Sequence, residues 1–199
     1  MTAGKVTADI TISLDGYVAG PNQSLENPLG ERGNLLHRWM FEQAEANSVA
    51  IAAITEPAAF IMGRNMFGPG RGAWDSTWQG WWGAEPPYNA PVFVLTNFAR
   101  EPMEMNGGTT FTFVTEGIEA ALSQAHQAAR GGNVGIAGGA RVVRQYLSAG
   151  LIDELRLHIS PVLLGAGERL FDGVADISLE PTEVSGTSLV THLYYRVCH

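Results

Sequence analysis

Val134-Gly135-Ile136-Ala137-Gly138-Gly139-Ala140-Arg141-Val142 is the stretch whose reading decides the fold. An apolar run ends on a pair of glycines, and a helix-prone segment begins at once, with Val142, Val143, Tyr146 and Leu147 spaced along one face. A strand, a glycine turn and a helix in that order form the repeating unit of a parallel sheet. The glycines let a ligand approach the backbone. A helix N-terminus adds unpaired N–H groups and a partial positive charge. Together they suit a pyrophosphate, and the same residues serve equally as a plain strand-to-helix turn. The spacing is not G-x-G-x-x-G, so that dinucleotide fingerprint does not apply.

The pattern recurs upstream. Ile61-Met62-Gly63-Arg64-Asn65-Met66-Phe67 reads as strand, glycine and helix start, now with an arginine able to grip a phosphate through two N–H groups. Leu95-Thr96-Asn97 closes another apolar run, and Thr115 closes the one before it in the next unit, at 110–114. Ligands bind beyond the carboxyl ends of parallel strands, so this set of strand ends suits a dinucleotide. Strands are expected at 6–14, 58–62, 92–95, 110–114, 133–137, 154–160, 177–184 and 189–197. In the first, Val6, Ala8, Ile10, Ile12 and Leu14 alternate with Thr7, Asp9, Thr11 and Ser13, which requires at least one buried face. Helical spacing marks 35–54, in two pieces, and 118–129, with Thr115 as N-cap. A long Gly/Pro/Asn-rich loop is expected over 16–34. Strands alternating with helices, then consecutive strands, predict an α/β domain. Its central sheet should be mixed, mostly parallel, with an antiparallel C-terminal edge.

The chain has 199 residues, a length that predicts a single domain over 1–199. Hydrophobic residues make up 45% of it and mean hydropathy is +0.01, enough apolar material for a sizeable core. Charged residues are only 16%, which points to surface covered by a second subunit or simply apolar. A net charge of −8 without any Lys/Arg run argues against nucleic-acid binding. Cys198 is the lone cysteine, so no intrachain disulfide or thiolate metal site is available. Without a signal-peptide core or a long apolar stretch, a cytoplasmic protein away from membranes is expected.

Several further residues carry chemistry. Asp15 stands between a strand and Gly16, where a carboxylate either assists proton transfer to a substrate or bonds its own turn. Trp74, Trp78, Trp81 and Trp82 crowd the Gly/Pro-rich segment 68–91. They wall a pocket, fill a subunit interface or pack on their own domain. Trp81 and Trp82, with Trp39 from the helical stretch, are the candidate substrate-binding aromatics. His37, His126, His158, His192 and His199 lack metal-ligand spacing, and no metal site is expected. His158 and His192 fall on the polar alternate of their strands.

Ile136-Ala137-Gly138-Gly139-Ala140-Arg141-Val142-Val143 resembles the glycine-pair motif of dihydrofolate reductases, and Met62-Gly63-Arg64 their Gly-Arg phosphate turn. Ser13-Leu14-Asp15-Gly16-Tyr17-Val18-Ala19 is similar to the first strand and loop of the RibD C-terminal reductase family. Ala149-Gly150-Leu151-Ile152-Asp153-Glu154-Leu155 and Pro161-Val162-Leu163-Leu164-Gly165 resemble that family too. The resemblance spans nearly the whole chain in order. It implies a three-layer dihydrofolate-reductase-like domain, a homodimer, and an NADPH-dependent reductase passing a hydride to a small heteroaromatic or conjugated molecule. On this resemblance Met62, Gly63, Arg64 and Met66 hold the adenosine phosphates, Leu95 and Thr96 flank the adenine ribose, and Thr115 lies at a matching strand end. Ala137, Gly138, Gly139, Ala140, Arg141 and Val142 cradle the pyrophosphate, and Asp15 and Gly16 lie near the nicotinamide. Two departures stand out. Ala137 occupies the place of a glutamate usual in the flavin-pathway reductases, and the H-x-E and C-x-x-C deaminase motifs are absent. Glu42 and Glu45 are the carboxylates available where dihydrofolate reductases need one on the helix after the first loop. A pteridine or ribosylaminouracil-type reductase and a nucleotide-binding module without turnover are the alternative readings.

Overall fold

The computed structural model describes residues 4–70 and 72–198; His199 lies outside them. β1 (Val6–Ser13) occupies an interior position of the main sheet, with parallel neighbours on both sides: β7 (Val134–Gly138) and β8 (Glu154–Ser160). Parallel pairing continues outward from β7 to β3 (Ala59–Gly63), β4 (Pro91–Leu95) and β6 (Thr110–Val114). On the other side β8 pairs antiparallel with β11 (Val190–Cys198), which forms a hairpin with β10 (Ser178–Thr187). The two-residue β5 (Met103–Glu104) adds a second antiparallel edge beside β6. Among the described residues the sheet has nine strands, in the order β10-β11-β8-β1-β7-β3-β4-β6-β5. The expected mixed, mostly parallel sheet with an antiparallel C-terminal edge is thus present.

Helices cover both faces. α4 (Ile118–Ala129) and α5 (Ala140–Ser148) lie on one, where Ala121, Leu122, Ala125, Val142, Val143, Tyr146 and Leu147 join Val6, Ala8, Ile10, Ile12, Ile61 and Ile136 in one buried cluster. The other face is covered by α1 (Arg38–Glu42), α2 (Ser48–Ile54) and the Trp-rich segment after α3 (Arg64–Phe67). Burying each large apolar side chain here stabilises the fold by roughly 1.5–3 kcal/mol.

Local expectations needed correction at three places. The 16–34 loop contains β2 (Tyr17–Ala19), which pairs with β9 (Glu168–Arg169) in a small separate sheet. Thr115 does not cap α4. Gly117 holds that position at φ 93°, a conformation that favours glycine, and no side chain caps the helix. β1 stops at Ser13, whose hydroxyl accepts the Tyr17 N–H at 2.9 Å and closes the turn, leaving Leu14 66% exposed.

Candidate functional site

The sheet register brings the predicted strand ends into one row. Met62 pairs with Gly138, Gly63 with Leu95, and Leu95 with Val114. The two glycine turns pack against each other. A Cβ on Gly63 would come within 2.9 Å of Val142 Cγ2, and Gly138 O and Gly139 N lie 3.8 Å from the same point. Gly138 has φ +127°, and the sulfur of Met66 sits 3.2 Å from where its Cβ would be. A Cβ on Gly139 would meet nothing within 4 Å, so the space at the N-terminus of α5 is open. No side chain caps that helix, whose earliest N–H groups have no partner within a helix, although the Val142 N–H already bonds the Gly139 carbonyl at 3.0 Å. Open space beside backbone amides, with glycines that leave the backbone uncovered, fits a pyrophosphate.

The remaining predicted residues divide. Arg141 is exposed on the first turn of α5, and Thr115 is exposed at the end of β6. Leu95 is half-buried, and the Thr96 hydroxyl is engaged in its own turn, accepting the Phe98 N–H at 3.1 Å. The Arg64 guanidinium stacks 3.8 Å above the Trp74 ring and donates to the Ala73 carbonyl at 3.3 Å. Met62, Ala140 and Val142 have side chains in the core, so they offer a ligand backbone only.

Asp15 is a turn residue. Its carboxylate accepts from the Ser13 hydroxyl at 2.6 Å and from the Leu164 and Gly165 amides at 3.1 and 2.7 Å. Partial burial alone would raise its pKa, but these hydrogen bonds outweigh it and hold the group at about 2. The donors fastening it belong to the loop after β8, and Gly16 O accepts the Leu170 N–H at 2.9 Å. This tie leaves no oxygen poised to deliver a proton.

The three candidate aromatics all make packing contacts within the domain. Trp39 is fully buried between the helices and the sheet, clustered with Ala50 and Val190. Trp81 lies against Trp78, and Trp82 packs on Tyr88 and Phe111. Trp74 and Trp78 are fastened by N–H bonds to the carbonyls of Phe98 and Phe67, at 2.7 and 3.0 Å. The segment therefore packs on its own domain, because indoles bury a large area and find backbone acceptors there.

A narrow cavity of about 60 Å³ lies beside the glycine turns, lined by Asp9, Ile54, Phe60, Met66, Tyr88 and Ala137 among others. Asp9 is the carboxylate here. Glu42 is exposed and paired with Arg38 at 2.6 Å, and Glu45 is exposed. Asp9 Oδ1 faces His158 Nε2 at 3.6 Å, and Asp9 Oδ2 faces Arg156 Nη1 at 3.8 Å. Behind it His158 Nδ1 meets His192 Nδ1 at 2.7 Å, and His192 Nε2 meets Asn47 Oδ1 at 3.0 Å. Trp39 lies over both rings, at 5.0 and 5.2 Å. The sequence pattern alone puts these histidines on the polar alternate face of their strands and assigns them no role. The available signal was a run of polar alternates on strands that have neighbours on both sides. Among the described residues no group of His, Cys, Asp and Glu forms a metal site, and no helix is long and apolar enough to cross a membrane.

A three-layer α/β domain with paired glycine turns at its carboxyl edge is a dihydrofolate-reductase-like fold. Dihydrofolate reductase of Enterococcus faecalis, complexed with NADP(H), superposes with a TM-score of 0.52 at 15% identity, covering 98% of this chain and 97% of that one. The family model of the RibD C-terminal domain matches residues 4–192, and the chain belongs to that family. A candidate riboflavin biosynthesis protein of Shewanella sp. PV-4 shares the fold over 100% of both chains, with a TM-score of 0.65 and 22% identity. The uncharacterised protein YwjB of Bacillus subtilis is 33% identical over 84 residues, which is 41% of this chain and 48% of YwjB. The match thus spans about half the length of that relative.

Proposed function

We propose that this protein is an NADPH-dependent reductase of a small heteroaromatic or conjugated substrate. The observation that carries the reading is the open space at Gly139, at the uncapped N-terminus of α5 beside the Gly63 turn. In this reading Gly138 and Gly139, with the first amides of α5, hold the pyrophosphate. Arg64, kept in place by Trp74, and exposed Arg141 serve the adenosine phosphates; Leu95, Thr96 and Thr115 extend the row under the ribose. Gly16 lies toward the nicotinamide end. When bound, the reduced nicotinamide supplies a hydride. Met66 and Ala137 join that end to the cavity, and Phe60, Tyr88 and Ile54 shield it from water.

The second reading, a pteridine or ribosylaminouracil-type reductase, is favoured by family membership and by Asp9, which places a carboxylate in the cavity although Ala137 supplies none. A homodimer in the cytoplasm belongs to the same proposal: β10 is a ten-residue edge strand, mostly exposed, and such edges are commonly covered. Light scattering giving a monomer mass would remove the dimer. The main test is titration with NADPH and NADH. NADPH should bind roughly tenfold more tightly or better, through its extra phosphate. Equal affinities would remove Arg64 and Arg141 from that role, and no binding of either would overturn the reading.

A further inference from the structure

The chain Asn47–His192–His158–Asp9 determines where its protons sit. The Asn47 amide nitrogen donates to the Gln43 carbonyl at 2.8 Å, so its oxygen faces His192 and can only accept. His192 Nε2 therefore carries a proton. The two Nδ1 atoms, 2.7 Å apart, share one more. The last gap separates His158 Nε2 from Asp9 Oδ1 by 3.6 Å, too far for a hydrogen bond, and among the described residues neither atom has a hydrogen-bond partner. Without a proton there, a buried lone pair would face a carboxylate. A proton on either atom is what would let the two groups satisfy each other.

The surroundings set a cation on one side of Asp9 and the cavity on the other. Arg156, itself bonded to Glu154 at 3.0 Å, is the cation on the far oxygen of Asp9. Tyr194 lies beside both Arg156 and His158, and His37 approaches His158 from the helical side. On the other side Asp9 lines the cavity shared with Met66 and Ala137. Its volume admits a substituent or one or two waters rather than a whole ring.

We propose that Asp9, sharing a proton with His158, is the acid that protonates the substrate at this cavity; the proposal rests on the reductase reading above. The step balances. A reduced nicotinamide gives a hydride to the carbon of a polarised C=N or C=O bond. The π pair moves to the heteroatom, which takes the proton from the Asp9–His158 gap directly or through one water. The nicotinamide leaves oxidised, and the gap regains its proton from solvent. Asp9 is the catalytic residue; His158, His192 and Asn47 are positioning residues.

The test combines nitrogen-15 NMR of the histidine rings, an infrared difference spectrum of the carboxyls, and NADPH titration, on wild type and Asp9→Asn. At neutral pH the wild type should show either doubly protonated His158, or a protonated Asp9 carboxyl, or a neutral His158 with its proton on Nε2. In Asp9→Asn the ring signals of His158 should move while NADPH affinity stays within about twofold. Reduction of any acceptor found in a panel of dihydropterins, aminopyrimidine ribosides and quinones should fall roughly 100-fold, and the alkaline limb of its pH profile should disappear. A bare His158 Nε2 beside an ionised Asp9, or Asp9→Asn turnover equal to wild type, overturns the proposal and leaves the reductase reading intact. Failure of the wild type to bind NADPH, or to reduce anything in the panel, overturns both.

Discussion

Val6, Ala8, Ile10 and Ile12 on one side of β1 are buried to 6% exposure or less, and Thr7, Thr11 and Ser13 on the other to 9% or less. The two sides are equally hidden yet held by different forces. The first packs against α4 and α5, where contact is non-directional and only volume must match. The second is polar and only partly bonded. Ser13 bonds Asp15 and Tyr17 of its own turn, while Thr7 Oγ1 and Asp9 Oδ1 are buried without a hydrogen-bond partner. On the same side of neighbouring β8, Ser160 bonds the Leu36 carbonyl and His158 meets His192. Alternation along an interior strand thus marks two buried environments rather than one buried and one wet. The polar side is the one that reaches the cavity.

The sharpest contrast between the sides is in how they fail. Trp39→Ala removes the fully buried ring that seals the polar side and should cost about 3–5 kcal/mol in urea unfolding. Ile136→Ala on the apolar side should cost about 2–5 kcal/mol. Only the first should displace the ring resonances of His158 and His192. A Trp39→Ala variant as stable as wild type would break the comparison.

Acid should attack the polar side first. Burial, then the charge of His158, holds His192 and His37 at about 4, below their ordinary 6.5. Between those values the unfolded chain binds more protons than the folded one. Stability is therefore full above pH 6.5 and drains as pH falls toward 4, by on the order of 3 kcal/mol for each histidine. Replacing His192 with Gln should flatten that slope in thermal melts. An unchanged slope would show that the histidines contribute no acid sensitivity.

At the edge where the two sides meet, Gly139→Val should weaken NADPH binding about 100-fold, about 2.7 kcal/mol, with an unchanged melting temperature. Gly63→Ala should lower both, because its Cβ would strike Val142. Unaltered NADPH affinity in Gly139→Val would reduce the glycine pair to a turn.

The smallest effect belongs to Asp15. Asp15→Asn should cost about 1 kcal/mol or less, since solvent screens this partly exposed group, and should leave NADPH affinity alone. The depressed pKa sets the sign: the carboxylate's contribution is present above about 4 and is lost as pH falls through about 2. Proteolysis of the 161–167 loop, to which it is tied, would report that loss.

Much of the sheet was legible because its strands end in glycine or a small polar residue and their helices repeat at helical spacing. The strands 110–114 and 154–160 were read to the residue. Thr115 misled as a cap because its hydroxyl is a good capping group, while the glycine at 117 could take the positive φ that the helix entry required. Tryptophan misled in the other direction. A cluster of indoles in a glycine-rich stretch reads equally as pocket or as packing, and only the position of Phe67, Phe111 and Phe113 beneath it decides.

The amino-acid order by itself determined the strand–glycine–helix units, the parallel core with its antiparallel edge, and the glycine turns at Gly63 and Gly138–Gly139, since each is written in a few consecutive residues. Tertiary structure alone decided that those turns touch, that Asp15 serves a loop, and that Asp9, Asn47, His158 and His192 form one chain. The last four are carried by β1, the start of α2, β8 and β11. A hydrogen bond acts over 3 Å of space and leaves no period in the sequence for residues 145 positions apart.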